Sequence, residues 1–154
     1  MSSNEKVIVL EDNFAEVLDA CTGQDLLRAI TAGGFVVEGY AKINAGSGRP
    51  GLNIQTGALV NSIQTTDGVV ISPTQVWISV GTNMVYARIH EIGGTIVPVN
   101  AKMLSWEGEG GERIFAGAVH IPARPYLRPA MDENEGKITL AVGANLRAGL
   151  DKVT

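Results

Sequence analysis

The sequence predicts an α+β fold, a mostly antiparallel sheet packed against a long N-terminal helix and a C-terminal helix. Leu26, Ile30, Val37 and Tyr40 fall at spacings near 4, 7 and 3, tracing one helical stripe. In the middle of the chain, Val76, Ile78 and Val80 alternate with Trp77, Ser79 and Gly81, the period of a half-buried strand. Near the C-terminus, Ile138, Val142, Leu146 and Leu150 recur at i+4. Helices at the two ends with strands between them segregate the two structures instead of alternating them, which favours α+β over a parallel sheet.

The elements follow in order. Residues 7–10 form a short apolar run, and Asn13 with Glu16 offers a helix start for Phe14, Val17, Leu18 and Cys21. Thr22 and Asp25 form a second T-x-x-D start, opening the long helix toward Ala45. Gly33 and Gly34 interrupt it, and because each costs about 1 kcal/mol relative to alanine in a helix interior, the pair predicts a tight packing contact. Residues 45–51, A-G-S-G-R-P-G, read as a flexible loop. Thr56 would cap a short helix through Ala58, Leu59, Val60 and Ile63. Residues 69–72 and 75–81 form a hairpin turned at Pro73 and Thr74.

Residues 86–91 are helical in pattern and end at Gly93 and Gly94; Pro98 then confines residues 95–99 to a sheet edge or strand end. Strands are expected at 103–106 and 113–119, around an exposed acidic loop, E-G-E-G-G-E. Pro122, Pro125 and Pro129 make residues 121–129 extended, with Pro129 in the first turn of a final helix. The expected organisation is an N-terminal extension with a short helix at 1–23 and one domain at 24–154, without internal repeats.

Composition sets bounds on function. The 154 residues (16.2 kDa) are 45% hydrophobic and 18% charged, enough to bury one core. A formal charge of -4 and a pI near 5.1 give no chain-wide basic field for phosphates, so sequence-wide nucleic-acid binding is disfavoured. One cysteine, Cys21, forms no internal disulfide. No basic stretch precedes a long apolar one and residues 7–10 are too few to span a bilayer, so the expectation is a soluble protein assembled inside the cell, without a membrane partner.

Signals for catalysis are weak. His90 and Glu91 sit in H-E-I-G-G, which lacks the second histidine at i+4 that a zinc site on one helix face requires; a polar pair at a helix end explains them better. Cys21 lies on an apolar stripe, as a small core residue would, and His120 stands between Val119 and Ile121 at a strand end. Neither glycine-rich loop carries the G-K-[ST] ending of a phosphate loop. Asp132, Glu133 and Glu135 fall at a helix start, where the dipole favours negative charge. The expectation is therefore no catalytic residue, cofactor or metal.

The unusual segment is I-P-A-R-P-Y-L-R-P, residues 121–129. A stiff extended chain loses little entropy on docking, and Tyr and Arg are enriched at interface hot spots. Alternatively, Tyr126 and Leu127 pin the segment to the sheet while Arg124 and Arg128 pair with nearby carboxylates or helix ends.

Three segments taken together carry a resemblance: T-G-A-L-V-N-S-I at 56–63; V-G-T-N at 80–83 continuing through Y-A-R-I-H-E-I-G-G-T-I at 86–96; and I-P-A-R-P-Y-L-R-P at 121–129. Their order and spacing, across roughly residues 24–150, resemble the tailed-bacteriophage virion morphogenesis proteins, the tail-component or tail-completion family of the neck. The extension before residue 23 has no counterpart in it. The resemblance implies a structural virion protein of a tailed phage or prophage, made in the host bacterial cytoplasm and resident in the neck or tail. Its work would be binding rather than catalysis, in head–tail joining or tail completion as a ring-forming neck subunit. Tail terminator or head-completion subunit is the nearest alternative, and a host peptide-binding adaptor using a free sheet edge at 95–99 a more distant one. Implied partners are other neck and tail proteins, namely the tail terminator, the tail tube and the head-completion ring, with DNA passing through the ring without sequence-specific contact. By the same resemblance, Arg88, His90 and Glu91 with Arg124, Tyr126 and Arg128 either hold the two loop motifs together or line a subunit interface.

Overall fold

The computed structural model describes residues 22–48 and 57–151. The expected helix before Cys21 and the capping role of Thr56 lie outside these residues. The fold is α+β, with five α-helices and eight strands among the described residues.

Helix α1, Gly23–Ile43, is the spine. Thr22 and Asp25 form the capping box expected of T-x-x-D: the Thr22 side chain accepts from the Asp25 N–H, and the Asp25 carboxylate accepts from the Thr22 N–H at 3.2 Å. The glycine-rich stretch after α1, read above as an irregular loop, begins instead with a π-helical turn, Asn44–Gly48. Gly33 and Gly34 show why the helix tolerates them. A Cβ on Gly33 would stand 2.9 Å from Val142, and one on Gly34 would stand 2.8 Å from Thr65 and closer still to Ile78. Two adjacent positions, about 100° apart around the axis, thus let neighbours approach α1 on two sides.

Helix α2, Ala58–Ser62, starts from Gly57 at φ +69° and delivers Ile63 into the core. The strands pair only antiparallel, but in four separate two-stranded ladders rather than one continuous sheet. β1, Gln64–Thr65, pairs with β4, Val80–Gly81, and β2, Val69–Ser72, pairs with β3, Gln75–Trp77. The single strand expected at 75–81 therefore divides at Ile78 and Ser79, yet its alternation persists: Val76, Ile78 and Val80 are half-buried while Trp77 and Ser79 are exposed. Helix α3, Ala87–Ile92, leads into β5, Gly94–Ile96. The strand expected at 103–106 is β6, Leu104–Glu107; that expected at 113–119 splits into β7, Arg113–Ala116, and β8, Val119–Ile121. β5 pairs with β8 and β6 with β7.

The expected final helix is two. α4, Leu127–Asp132, holds Pro129 in its first turn, and α5, Glu135–Leu150, follows after a break at Glu133 and Asn134. Asp132 therefore ends one helix while Glu135 begins the next, so the acidic cluster does not sit at a single helix start. Asn134 is buried at the break and donates through Nδ2 to the Ala130 carbonyl at 3.1 Å. Helices α4 and α5 pack on α1, as do strands β1 to β4. The core is made of Val37, Ala41, Ala45, Ile63, Tyr126 and Ala130, with Ala29 and Ala87 also buried.

Glu38 ties the spine to the strands. Its carboxylate accepts from Lys42 Nζ at 2.6 Å and from the Thr65 N–H at 2.7 Å. Burial pushes this carboxyl up, but the hydrogen bonds from Lys42 and Thr65 outweigh it, and the net pKa lies below the ordinary 4.5. A lowered folded pKa gives stability that is present above the unfolded value and lost as pH falls through the folded one. Glu38→Gln is therefore expected to lower stability near neutrality and to flatten the loss of stability below about pH 4.5, read as urea midpoints down an acid series.

Candidate functional site

Helix α4 begins without a capping side chain of its own: Tyr126 occupies the cap position and makes no side-chain cap bond. The exposed N–H groups of a helix start must still find acceptors. Glu91, on α3, supplies them from 35 residues away. One carboxylate oxygen, Oε2, accepts from the Tyr126 N–H at 2.9 Å and the Leu127 N–H at 3.0 Å, and Oε1 accepts from the Arg128 N–H at 2.9 Å. The next position is Pro129, which has no N–H to satisfy. Three donors and one absent donor account for the whole first turn, and the negative charge faces the positive end of the short helix.

Further bonds close the same junction. The Arg124 N–H donates to the His90 carbonyl at 2.7 Å, and Asn44 Nδ2 donates to the Tyr126 carbonyl at 3.0 Å. Gly93 ends α3 at φ +72°, and a Cβ there would stand 2.7 Å from the backbone nitrogen of Ala123, so both torsion and space demand glycine. Gly94 then enters β5, opposite Ile121 of β8. The segments 86–96 and 121–129 are thus joined by backbone and carboxylate, with no ion pair between side chains.

The first segment meets them through the core and a hydroxyl. Ile63 is fully buried in the cluster that holds Tyr126, and Ser62 Oγ lies 2.6 Å from Thr82 Oγ1. Thr82 Oγ1 also accepts from the Met84 N–H at 3.1 Å, fixing the turn before α3.

The six residues singled out in the sequence part into four kinds. Glu91 is the carboxylate of the junction. Tyr126 is buried in the core cluster with Val37 and Ala41 of α1, Ile63 and Ala130, a cluster against which Val80 of β4 also packs. Burial, with the Glu91 charge beside it, pushes its hydroxyl up to about 12. His90 rests edge-on against Tyr86, ring centroids 5.9 Å apart, with Nδ1 buried and lacking a hydrogen-bond partner among the described residues. Arg88, Arg124 and Arg128 form no side-chain hydrogen bond or ion pair among the described residues, and Arg88 and Arg128 are exposed. His120, away from this group, lies with Nδ1 3.3 Å from Thr95 Oγ1 across the β5–β8 ladder. Among the described residues no group of three His, Cys, Asp or Glu side chains could hold a metal ion, and no helix is long and apolar enough to cross a membrane.

The sequence did hold a signal for Glu91. A helix start marked by Pro129, with no Ser, Thr, Asp or Asn ahead of it, must be capped from elsewhere in the chain. Asn44, Ser62 and Thr82 carry no such signal, because their partners are distant in sequence.

Glu91→Ala strands the N–H groups of Tyr126, Leu127 and Arg128 and is expected to cost about 2 to 3 kcal/mol, with Glu91→Gln costing less because an amide oxygen still accepts. Gly93→Ala is expected to cost at least about 1 to 3 kcal/mol from backbone strain alone. Chemical denaturation with circular dichroism measures both. For Tyr126 the folded pKa is raised from 10.0 to about 12, so its contribution is complete below pH 10 and is lost as pH rises toward 12. Tyr126→Phe keeps the buried ring and should remove this alkaline loss, read as denaturation midpoints between pH 10 and 12.

No curated protein and no solved structure matches the chain. A model of the phage virion morphogenesis family matches residues 43–147, a span that starts at the end of α1, covers more than half of the chain and contains all three segments. With those segments forming one interlocked junction, this match places the chain in a family of virion-building proteins: it belongs to the phage virion morphogenesis family.

Proposed function

We propose that the chain is a ring-forming subunit of the phage neck, acting in head–tail joining or tail completion by binding its neighbours rather than by catalysis. The observation that carries this reading is the surface over the Glu91 junction. Arg88 stands on one and Arg124 and Arg128 on the other of the two backbone segments that the carboxylate holds in fixed relation, and their guanidiniums have no partner among the described residues. Guanidinium groups presented on a rigid frame suit recognition of carboxylates on another protein, and Arg is enriched at interface hot spots.

The chain's large apolar side chains support the same reading. Phe35, Ile71, Val85, Ile92, Phe115 and Leu140 are all more than half exposed, which leaves apolar surface that an association would bury. The acidic net charge suits a subunit that surrounds DNA without gripping it.

The test is complementation of a phage or prophage lacking this chain, with electron microscopy of the products. The expected defect is filled heads and finished tails that stay apart, restored by the wild-type chain. Defective tails, or heads that leak their DNA, would assign the chain to tail termination or head completion instead. Arg88→Glu with Arg124→Ala is expected to keep the fold by circular dichroism while lowering infectious particles at least tenfold. Undiminished particle yield would remove this surface from the interface. Tyr126→Ala does not serve the same purpose, because that side chain is in the core.

A further inference from the structure

Between Gly94 and Ile121 the chain leaves the body as a two-stranded ribbon in two sections. Gly94↔Ile121, Thr95↔His120 and Ile96↔Val119 form the base; Leu104↔Ala116, Ser105↔Phe115, Trp106↔Ile114 and Glu107↔Arg113 form the arm. The register sets Leu104, Trp106, Ile114 and Ala116 on one face of the arm. Neither section makes more than marginal contact with any of the described helices. Trp106 is 40% exposed, Val99 and Met103 in the preceding segment are 89% and 51% exposed, and Leu104, Ile114 and Ala116 are half-buried. An isolated two-stranded ribbon is at best marginally stable in water, and none of the described helices covers this apolar face. The tip carries Glu107, Glu109 and Glu112, none of them in an ion pair among the described residues.

The body presents the complementary surface. A groove of about 490 Å³ lies between α1, α4, α5 and the β3–β4 segment, lined by Ile30, Val37, Ile78, Val80, Met131 and Val142. Two charged residues border it. Glu91 has both oxygens committed to α4, which leaves the unpaired Arg128 guanidinium as the free charge at the rim. That volume accepts a tryptophan with one or two aliphatic neighbours.

We infer that the ribbon of one copy docks on a second copy of the same chain, with Trp106 and its apolar face in the groove and the glutamate tip against Arg128. Charge complementarity and the pairing of two uncovered apolar surfaces select this occupant. Because ribbon and groove are different patches, the contact is heterologous and propagates head to tail until a rotation closes it. The inference deepens the ring reading above and rests on it for closure.

Sedimentation velocity on the full chain over a concentration series tests the contact. The wild type is expected to associate beyond a monomer. Trp106→Glu, which spoils the ribbon, and Arg128→Glu/Met131→Glu, which spoils the groove, should each remain monomeric. Mixed in equal amounts, the two variants should form a heterodimer and nothing larger, since one retains a groove and the other a ribbon. Circular dichroism checks both folds, and Arg128→Glu alone replaces the double variant if Met131→Glu unfolds it. The inference is overturned by a wild type that stays monomeric throughout, by association of either variant alone, or by a mixture that stays monomeric while the wild type associates. Normal particles from the Trp106→Glu chain would also overturn it while leaving the neck assignment standing. A wild type that associates through the ribbon but restores no particles would sink the neck assignment alone.

Discussion

One carboxylate organises the junction on which the rest of the structure depends. Glu91 accepts three backbone N–H bonds at the start of α4, and these are charge-assisted, which makes them roughly twice as strong as neutral ones. Without them α4 has no acceptor for its first turn, and Tyr126 and Ala130, which α4 and its cap bring to the core, lose their placement against α1. Gly93 and the proline that follows Arg128 serve the same contact, one by letting backbones approach and the other by removing a donor that would have gone unmet.

What the residues reveal in advance depends on whether the cause is local. The capping box at Thr22 and Asp25 and the glycine turn after α3 follow from neighbouring residues and were readable from the sequence; the Gly33–Gly34 pair signalled close packing but not its distant partners, Val142, Thr65 and Ile78. The π-helical turn at Asn44–Gly48 and the break at Ile78 involve partners farther along the chain, whereas the division of the final helix at Asn134 goes with a bond only four residues back, to the Ala130 carbonyl. Asn44, for example, turns toward the Tyr126 carbonyl, 82 residues away, a contact no local pattern announces. For the candidate site, the six residues came from two motifs, but their division into a carboxylate clasp, a core tyrosine and unpaired arginines needed the fold. The ribbon was visible as strands and an acidic loop, while its separation from the described helices was not.

The core explains why a polar clasp carries so much. Ala29, Ala41, Ala45, Ala87 and Ala130 are buried, and Ile63 is the largest side chain among the described residues that is fully so. Small residues let helices approach closely but remove little apolar surface each, at about 25 cal/mol per Å². Larger apolar side chains such as Phe35, Phe115 and Leu140 lie outside, more than half exposed. The apolar surface is thus divided between an inner share that folding buries and an outer one that it leaves in water.

The place where the ribbon leaves the body has a consequence for how such a subunit can diversify. Glu91 and Gly94 on one side, with Ile121 and Tyr126 on the other, shut the base of the excursion, so the body is complete at that line. Lengthening a loop costs little, about 0.6 kcal/mol for each doubling. Residues gained or lost beyond the clasp therefore change reach while hardly touching the stability of the body. Arm length is thus an adjustable spacer on an unchanged body.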